Sequence, residues 1–227
     1  MIGADDLQAQ AKGPAAIARS DRRARSWALL LFDAASRNGI TPISKLRFHR
    51  LAYLANGMSR VFEIDAADER IVKHRRGPFY PDLQWHVDRL VGQFLISVAA
   101  VRHYQDDDGT WMDADYALGP CAVPVIESLC QLDSMTQLSI FLQEVARAYA
   151  AQEDSALDEI ILKDVTYDYP GRATNAVINF RAERDNLSAR TAESFSLLAP
   201  DPRALALHDK INLYVEYIDR RPFGAAA

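Results

Sequence analysis

The hydrophobic positions of the chain fall into blocks, and their spacing alternates between helical and extended. From about Asp21 to Arg37, Ala24, Trp27, Leu30, Leu31, Ala34 and Ala35 share one face, which predicts a first helix stopped by Asn38-Gly39. Thr41 then reads as an N-cap with Pro42 at the first helical position, where a missing N–H costs nothing. The segment that follows, ISKLRFHRLAYLANGMSRVF, is apolar on more than one side, so a helix there belongs in the middle of the fold. Tyr80-Pro81 opens a third helix by the same rule, with Leu83, Val87, Leu90, Val91, Phe94 and Leu95 inward.

The period then changes. Ile96, Val98 and Ala100 alternate with polar or small residues, Asp108-Gly109 supplies a turn, and Trp111 to Leu118 returns, which together read as a β-hairpin. Helical spacing resumes in PCAVPVIESLCQL, and again in LSIFLQEVARAYAAQ, preceded by Ser134 and Gln137 in capping-box spacing. ALDEIILKDV after Ser155 reads as a further helix. Asp201-Pro202 opens a last one, with Leu205, Leu207, Ile211, Tyr214, Val215 and Ile218 inward. The run TNAVINFRAERDNLSARTAESFSLLAP has no clear period. The expected fold is mainly α: a helical domain with a winged-helix-like β-hairpin. Residues 1–20 are expected to form a flexible N-terminal arm and 21–227 one mostly helical domain. The winged-helix-like part of that domain covers about 41–118 and a C-terminal helical part about 120–220.

Charge adds an asymmetry. The net charge of −5 excludes a uniformly basic nucleic-acid coat, yet residues 1–60 carry ten Lys/Arg against four Asp/Glu, and the remainder carries sixteen against twenty-seven. Three basic groups stand out: Arg19, Arg22, Arg23 and Arg25 on the first helix; Lys45, Arg47 and Arg50 on the second; Lys73, Arg75 and Arg76 before Gly77. Of these, Arg22, Arg25, Lys45, Arg47, Arg50, Lys73, Arg75 and Arg76 are the candidates for one basic patch. The third helix offers Asp82, Gln84, Trp85, His86, Asp88 and Arg89, one net negative charge, and the hairpin tip carries Asp106, Asp107 and Asp108. Phosphates repel both, so a winged helix of this composition favours a protein partner over duplex DNA.

Little in the chain points to catalysis. KHRRGPFYP lacks the glycines and the Lys-Ser/Thr pair of a phosphate loop. QDDDGTWMDAD, aligned as a calcium loop, places Tyr104 first and Asp115 last, where a calcium loop needs Asp and Glu, so a solvated turn fits better. Histidines 49, 74, 86, 103 and 208 show no metal or nucleophile spacing, and no nucleophile-elbow or dinucleotide fingerprint occurs. Cys121 and Cys130, expected within one helix, make neither a disulfide framework nor a zinc site. The apolar runs are too short to cross a bilayer and the N-terminus has no signal-peptide core, so the expectation is a cytoplasmic chain without a cofactor or a membrane partner. Phe79, Tyr80, Trp85 and Trp111 lie at element ends, where exposed aromatics anchor interfaces.

SKLRFHRLAYLANGMSRVF, a short polar spacer and KHRRGPFYPDLQWHVDRLV together resemble a motif in which a Lys-Leu helix precedes, by about thirty residues, a Gly-Pro ahead of another helix. Lys45, Leu46, Leu51, Tyr53, Gly77 and Pro78 carry the likeness, within residues 44–91, about a fifth of the chain. The motif is similar to the small middle components of bacterial ABC-three-component systems, which include the Lamassu-type anti-phage complexes, and more loosely to Panacea-type antitoxin domains. Phe48 and His49 depart from the pattern. The first resemblance implies a non-catalytic subunit between an SMC- or Rad50-like ATPase and an effector, often a nuclease, with possible contact to a DNA backbone. The second implies an antitoxin that neutralises a toxin. A winged-helix DNA-binding regulator is the third expectation.

Overall fold

A helix with no solvent-facing side has to be covered from every direction, and the second helix of this chain is one. In the computed structural model, which describes residues 14–64, 70–106, 109–152, 159–180, 186–198 and 205–222, every residue of this helix from Phe48 to Ser59 is buried. This helix, α2 (Lys45–Ser59), is capped by Ser44, whose hydroxyl accepts from the Arg47 N–H at 3.2 Å. The preceding helix, α1 (Pro14–Arg37), buries Trp27 to Ala35 and stacks Phe32 on Phe48 of α2, ring centroids 4.2 Å apart. Gly39, at φ +73°, ends it as the Asn-Gly pair predicts.

The rest of the chain forms the wall around α2. After α1 comes a two-residue strand, β1 (Ile43–Ser44), and beyond α2 a short hairpin, β2 (Ile71–His74) and β3 (Gly77–Phe79). Helix α3 (Pro81–Gly92) follows, then the long hairpin β4 (Ile96–Asp106) and β5 (Gly109–Leu118). The C-terminal part supplies α4 (Ala122–Leu129), α5 (Asp133–Ala150), a 3-10 turn at Ile160–Lys163, β6 (Val177–Ile178), α6 (Leu187–Leu198) and α7 (Leu207–Arg220). Two three-stranded antiparallel sheets result, in orders β1-β5-β4 and β3-β2-β6. Helix α5 lies along α1, and α7 closes against α5 and α6. The fold is mainly α with small antiparallel sheets.

Several elements differ from the pattern. Residues 14–20, expected in the flexible arm, form the first turns of α1; residues 1–13 lie outside the described residues. Thr41 is not a cap: the Thr41–Pro42 bond is cis, Ile43 and Ser44 pair with Tyr116 and Asp115, and the helix starts three residues later than expected, at Lys45. Lys73-His74 and Gly77-Pro78-Phe79 are strand, not a bare turn. Phe94 is turned outward at φ 59° because it lies past the end of α3. Ser134 sits inside α5, whose N-cap is Leu132, so no capping box forms there. Cys121 and Cys130 flank α4 instead of lying within it. Residues 107–108 of the hairpin tip, 153–158 after α5 and 201–204 before α7 lie outside the described residues.

Among the buried polar groups inside this apolar shell, Asp164 is the centre of a network. The Asp164 carboxylate, fully buried, accepts from the Tyr53 hydroxyl at 2.7 Å, the Ser188 hydroxyl at 2.9 Å, the Thr166 N–H at 2.9 Å, the Tyr167 N–H at 3.0 Å and the Tyr214 hydroxyl. These donors come from α2, the loop after the 3-10 turn, α6 and α7. The carboxylate therefore ties the C-terminal helices to the central one, its lone pairs satisfied by dipoles in place of a counter-charge. Burial and the neighbouring carboxylate push the Tyr53 and Tyr214 phenols well above their ordinary pKa, so both remain donors at any working pH. Asp164→Ala strands five donors and should cost at least about 3 kcal/mol in chemical denaturation, against about 1 kcal/mol for Tyr53→Phe.

Candidate functional site

The first turn of α2, the tip of the β2–β3 hairpin and the start of β5 enclose a solvent-open groove of about 420 Å³. Lys45, Leu46 and His49 come from α2, His74, Arg76, Gly77, Pro78 and Phe79 from the short hairpin, and Trp111 and Met112 from β5. Its walls are mostly apolar, with positive charge at Lys45 and Arg76 and, among the described residues, no carboxylate.

The hairpin tip is held in place from below. Arg50 is 4% exposed, and its guanidinium donates to the Arg76 carbonyl at 2.8 Å. Gly77, at φ +135°, passes so close that a Cβ there would lie 3.1 Å from Arg50 Nε and 3.5 Å from Leu46 Cδ1. Only glycine combines that dihedral with that approach. The Tyr167 hydroxyl donates to the His74 carbonyl on the same turn.

His49 forms the floor. Its Nδ1 accepts from the Tyr80 N–H at 3.4 Å, so Nε2 carries the proton and donates to Gln84 Oε1 at 3.0 Å. Gln84 Nε2 in turn donates to Asp88 at 2.7 Å and to the Tyr116 hydroxyl at 3.2 Å, locking α3 to α2 and β5. Burial lowers the His49 pKa to about 4, against the opposing hydrogen bond to Gln84 and with the help of nearby Lys45, so the ring is neutral. Its face meets Phe79, centroids 4.9 Å apart, and the Arg76 guanidinium lies over the Trp111 ring at 4.5 Å, which itself stacks on Tyr104.

The groove collects only part of the sequence-predicted set. Lys45, Arg76, Phe79 and Trp111 line it together. Arg50, expected in the surface patch, is buried because it holds the turn. Tyr80, expected as an interface anchor, is a core residue with no exposure, its hydroxyl accepting from Asn56 at 3.3 Å. Trp85 is exposed at 46% beneath the Arg89 guanidinium, on α3 and outside the groove. Lys73 faces the other side of β2, donating to the Arg172 carbonyl at 2.9 Å over the Tyr167 ring. Arg75 is exposed and Arg47 half-buried, and neither lines the groove. Arg22 and Arg25 belong to α1, which contributes nothing to it. Of the three basic groups, only the second and third therefore meet here, through Lys45 and Arg76. Leu46, His49, His74, Gly77, Pro78 and Met112 were absent from the candidate site residues; the motif that names Leu46, Gly77 and Pro78 was the signal that could have found those three.

Among the described residues no three or more His, Cys, Asp or Glu side chains converge as metal ligands, and no helix is long and apolar enough to cross a membrane. No protein-family model and no curated protein matches the chain.

Two outcomes follow from this geometry. Unfolding free energy should be level above about pH 6.5 and fall as pH drops to about 4, because His49 protonates readily only when unfolded. The full loss attributable to it is about 3 kcal/mol, read as the difference between the wild type and His49→Gln across a pH series. Gly77→Ala should cost about 1–3 kcal/mol in thermal or chemical melts, from backbone strain and the displaced Arg50.

Proposed function

We propose that the chain is a non-catalytic accessory subunit of a bacterial anti-phage defence complex, bridging an SMC- or Rad50-like ATPase to an effector of the nuclease kind. The observation that carries the reading is the meeting of Lys45-Leu46 with Gly77-Pro78 in the walls of one groove. These are the two separated halves of the sequence motif that resembles the middle components of ABC-three-component systems. Their residues are spent on shaping a surface: Gly77 gives close approach, Pro78 and Leu46 apolar wall, Lys45 charge. The other two motif residues, Leu51 and Tyr53, support the core beneath.

The arrangement around the groove agrees with a protein-binding winged helix. A short strand between the first two helices pairs with the second strand of the long hairpin, and a third helix precedes that hairpin. In the position of a reading helix, α3 presents Asp82, Trp85, Asp88 and Arg89, with Asp82 engaged by Arg70 at 2.7 Å. Such a surface suits a protein side chain better than a phosphate backbone. The long hairpin exposes Met112 at the groove and Val101 beyond it, at 54% and 56%, and exposed apolar groups rimmed by charge are what a partner covers. Arg22 and Arg25, remote from the groove, are the residues left for a DNA-backbone contact within the assembled complex. The cytoplasm is the place for such a complex.

Affinity purification of the tagged chain from its native host, read by mass spectrometry, is the test. Co-recovery of a coiled-coil ATPase with an effector is the expected outcome. A lone small toxin, with growth rescue on co-expression, would replace this reading with a Panacea-like antitoxin. Salt-sensitive duplex binding lost in Arg22→Glu, with neither protein recovered, would replace it with a DNA-binding regulator.

A further inference from the structure

Strand β5 is longer than its neighbour on one side. It runs from Gly109 to Leu118, while β1 pairs only at Asp115 and Tyr116, so among the described residues no strand covers the 109–114 stretch opposite β4. This open edge borders the groove through Trp111 and Met112. An uncovered strand edge is a template for another chain unless something occupies its polar groups.

Two side chains stand in for the missing strand. Lys45 Nζ donates to the Met112 carbonyl at 2.6 Å, and the Ala114 N–H donates to Asp113 Oδ1 at 3.0 Å. Residues 112 and 114 point the same way along an antiparallel strand, as does Tyr116, which pairs with Ile43 of β1. Lys45 and Asp113 thus cap the main-chain groups that a longer β1 would have bonded. Both caps are side chains: Lys45 caps from the exposed side, while Asp113, only 6% exposed, caps from within. Chain direction explains why β1 stops: at Lys45 the backbone turns into α2.

We infer that the groove receives an extended acidic segment of a partner protein, which pairs with the free edge of β5 in line with β1. Its backbone takes the Met112 and Thr110 groups, an apolar or aromatic side chain lies against Pro78, Phe79 and Leu46, and a carboxylate meets Lys45 and Arg76. Three properties choose this occupant. Main-chain bonding on a strand edge demands an extended segment with no fixed sequence, and the apolar wall beside it selects alternate side chains. Among the described residues the lining offers Lys45 and Arg76 and no carboxylate, so acidic segments are favoured and basic ones repelled. Arg76 already lies on an aromatic face, a setting that holds a guanidinium in place for carboxylate binding. The inference rests on the accessory-subunit reading and names the chemistry of the partner segment.

The test uses the purified full chain to select from displayed random peptides of about ten residues, then measures a fluorescein-labelled selected peptide by anisotropy. Selected peptides should carry Asp or Glu next to a large apolar residue. Arg76→Glu should weaken binding by about tenfold or more. Met112→Pro, which removes an N–H on the free side and leaves the β4 ladder intact, should do the same. If Met112→Pro lowers the melting temperature, N-methylation of the peptide backbone at alternate residues supplies the same readout on unaltered protein. Basic selected peptides, no selected peptide at all, or peptides indifferent to Arg76→Glu and to N-methylation would overturn the inference. Should the host complex be recovered equally well with Arg76→Glu, the groove inference fails while the accessory-subunit reading stands. Peptide binding without any recovered complex would have the reverse meaning.

Discussion

The burial of α2 on every side governs this structure. From Phe48 to Ser59 it has no face for water, so the chain before it and the chain after it must both be used as cover. The N-terminal cover is α1 with the Phe32–Phe48 stack, and the C-terminal cover is delivered through α5, α6 and the loop that carries Asp164. Only the first turn of α2 escapes, and the groove lies against it. The site thus sits where the most constrained element of the fold comes to the surface, a placement that gives its floor the rigidity of the core.

The same logic distributes the charges. Arginines that look alike in the sequence have been given different work by their neighbours. Arg50 is held inside as a clamp on a backbone carbonyl, Arg76 lies on an indole, Arg89 covers Trp85, and Arg102 is paired with Asp115 along the hairpin. A basic cluster read off the sequence is therefore resolved by packing into one groove rim and several structural contacts. What reaches solvent at the groove is a narrow positive mouth over an aromatic wall.

Much of the fold was legible because periodicity is a local property. The inward faces of α1 and of α7 were readable from spacing, as were the Pro81 start of α3 and the two arms of the long hairpin. What escaped depended on partners far away in sequence. Ile43-Ser44 is a strand only because Tyr116 and Asp115 lie beside it, and Lys73 to Phe79 is a hairpin partly because Val177-Ile178 completes the sheet. Tyr80 and Arg50 carried surface-like identities, and the Asn56 and Arg76 contacts that bury them could not be counted from neighbours in the chain. Of the candidate site, Lys45, Arg76, Phe79 and Trp111 were in view as separate residues. Their convergence was not, because it depends on how the two hairpins fold back against α2.

The Asp164 network has a temporal consequence. Its carboxylate lies 111 positions after Tyr53 and 50 before Tyr214, so the central helix acquires its last polar and apolar wall from the end of the chain. During synthesis at the ribosome, the first hundred residues can assemble α1, α2 and α3 into a half-built shell whose interior is still open. Contacts of such long range close slowly, and the exposed half-shell is sticky while it waits. The order of translation, and not only the final contacts, thus decides how long α2 is left uncovered.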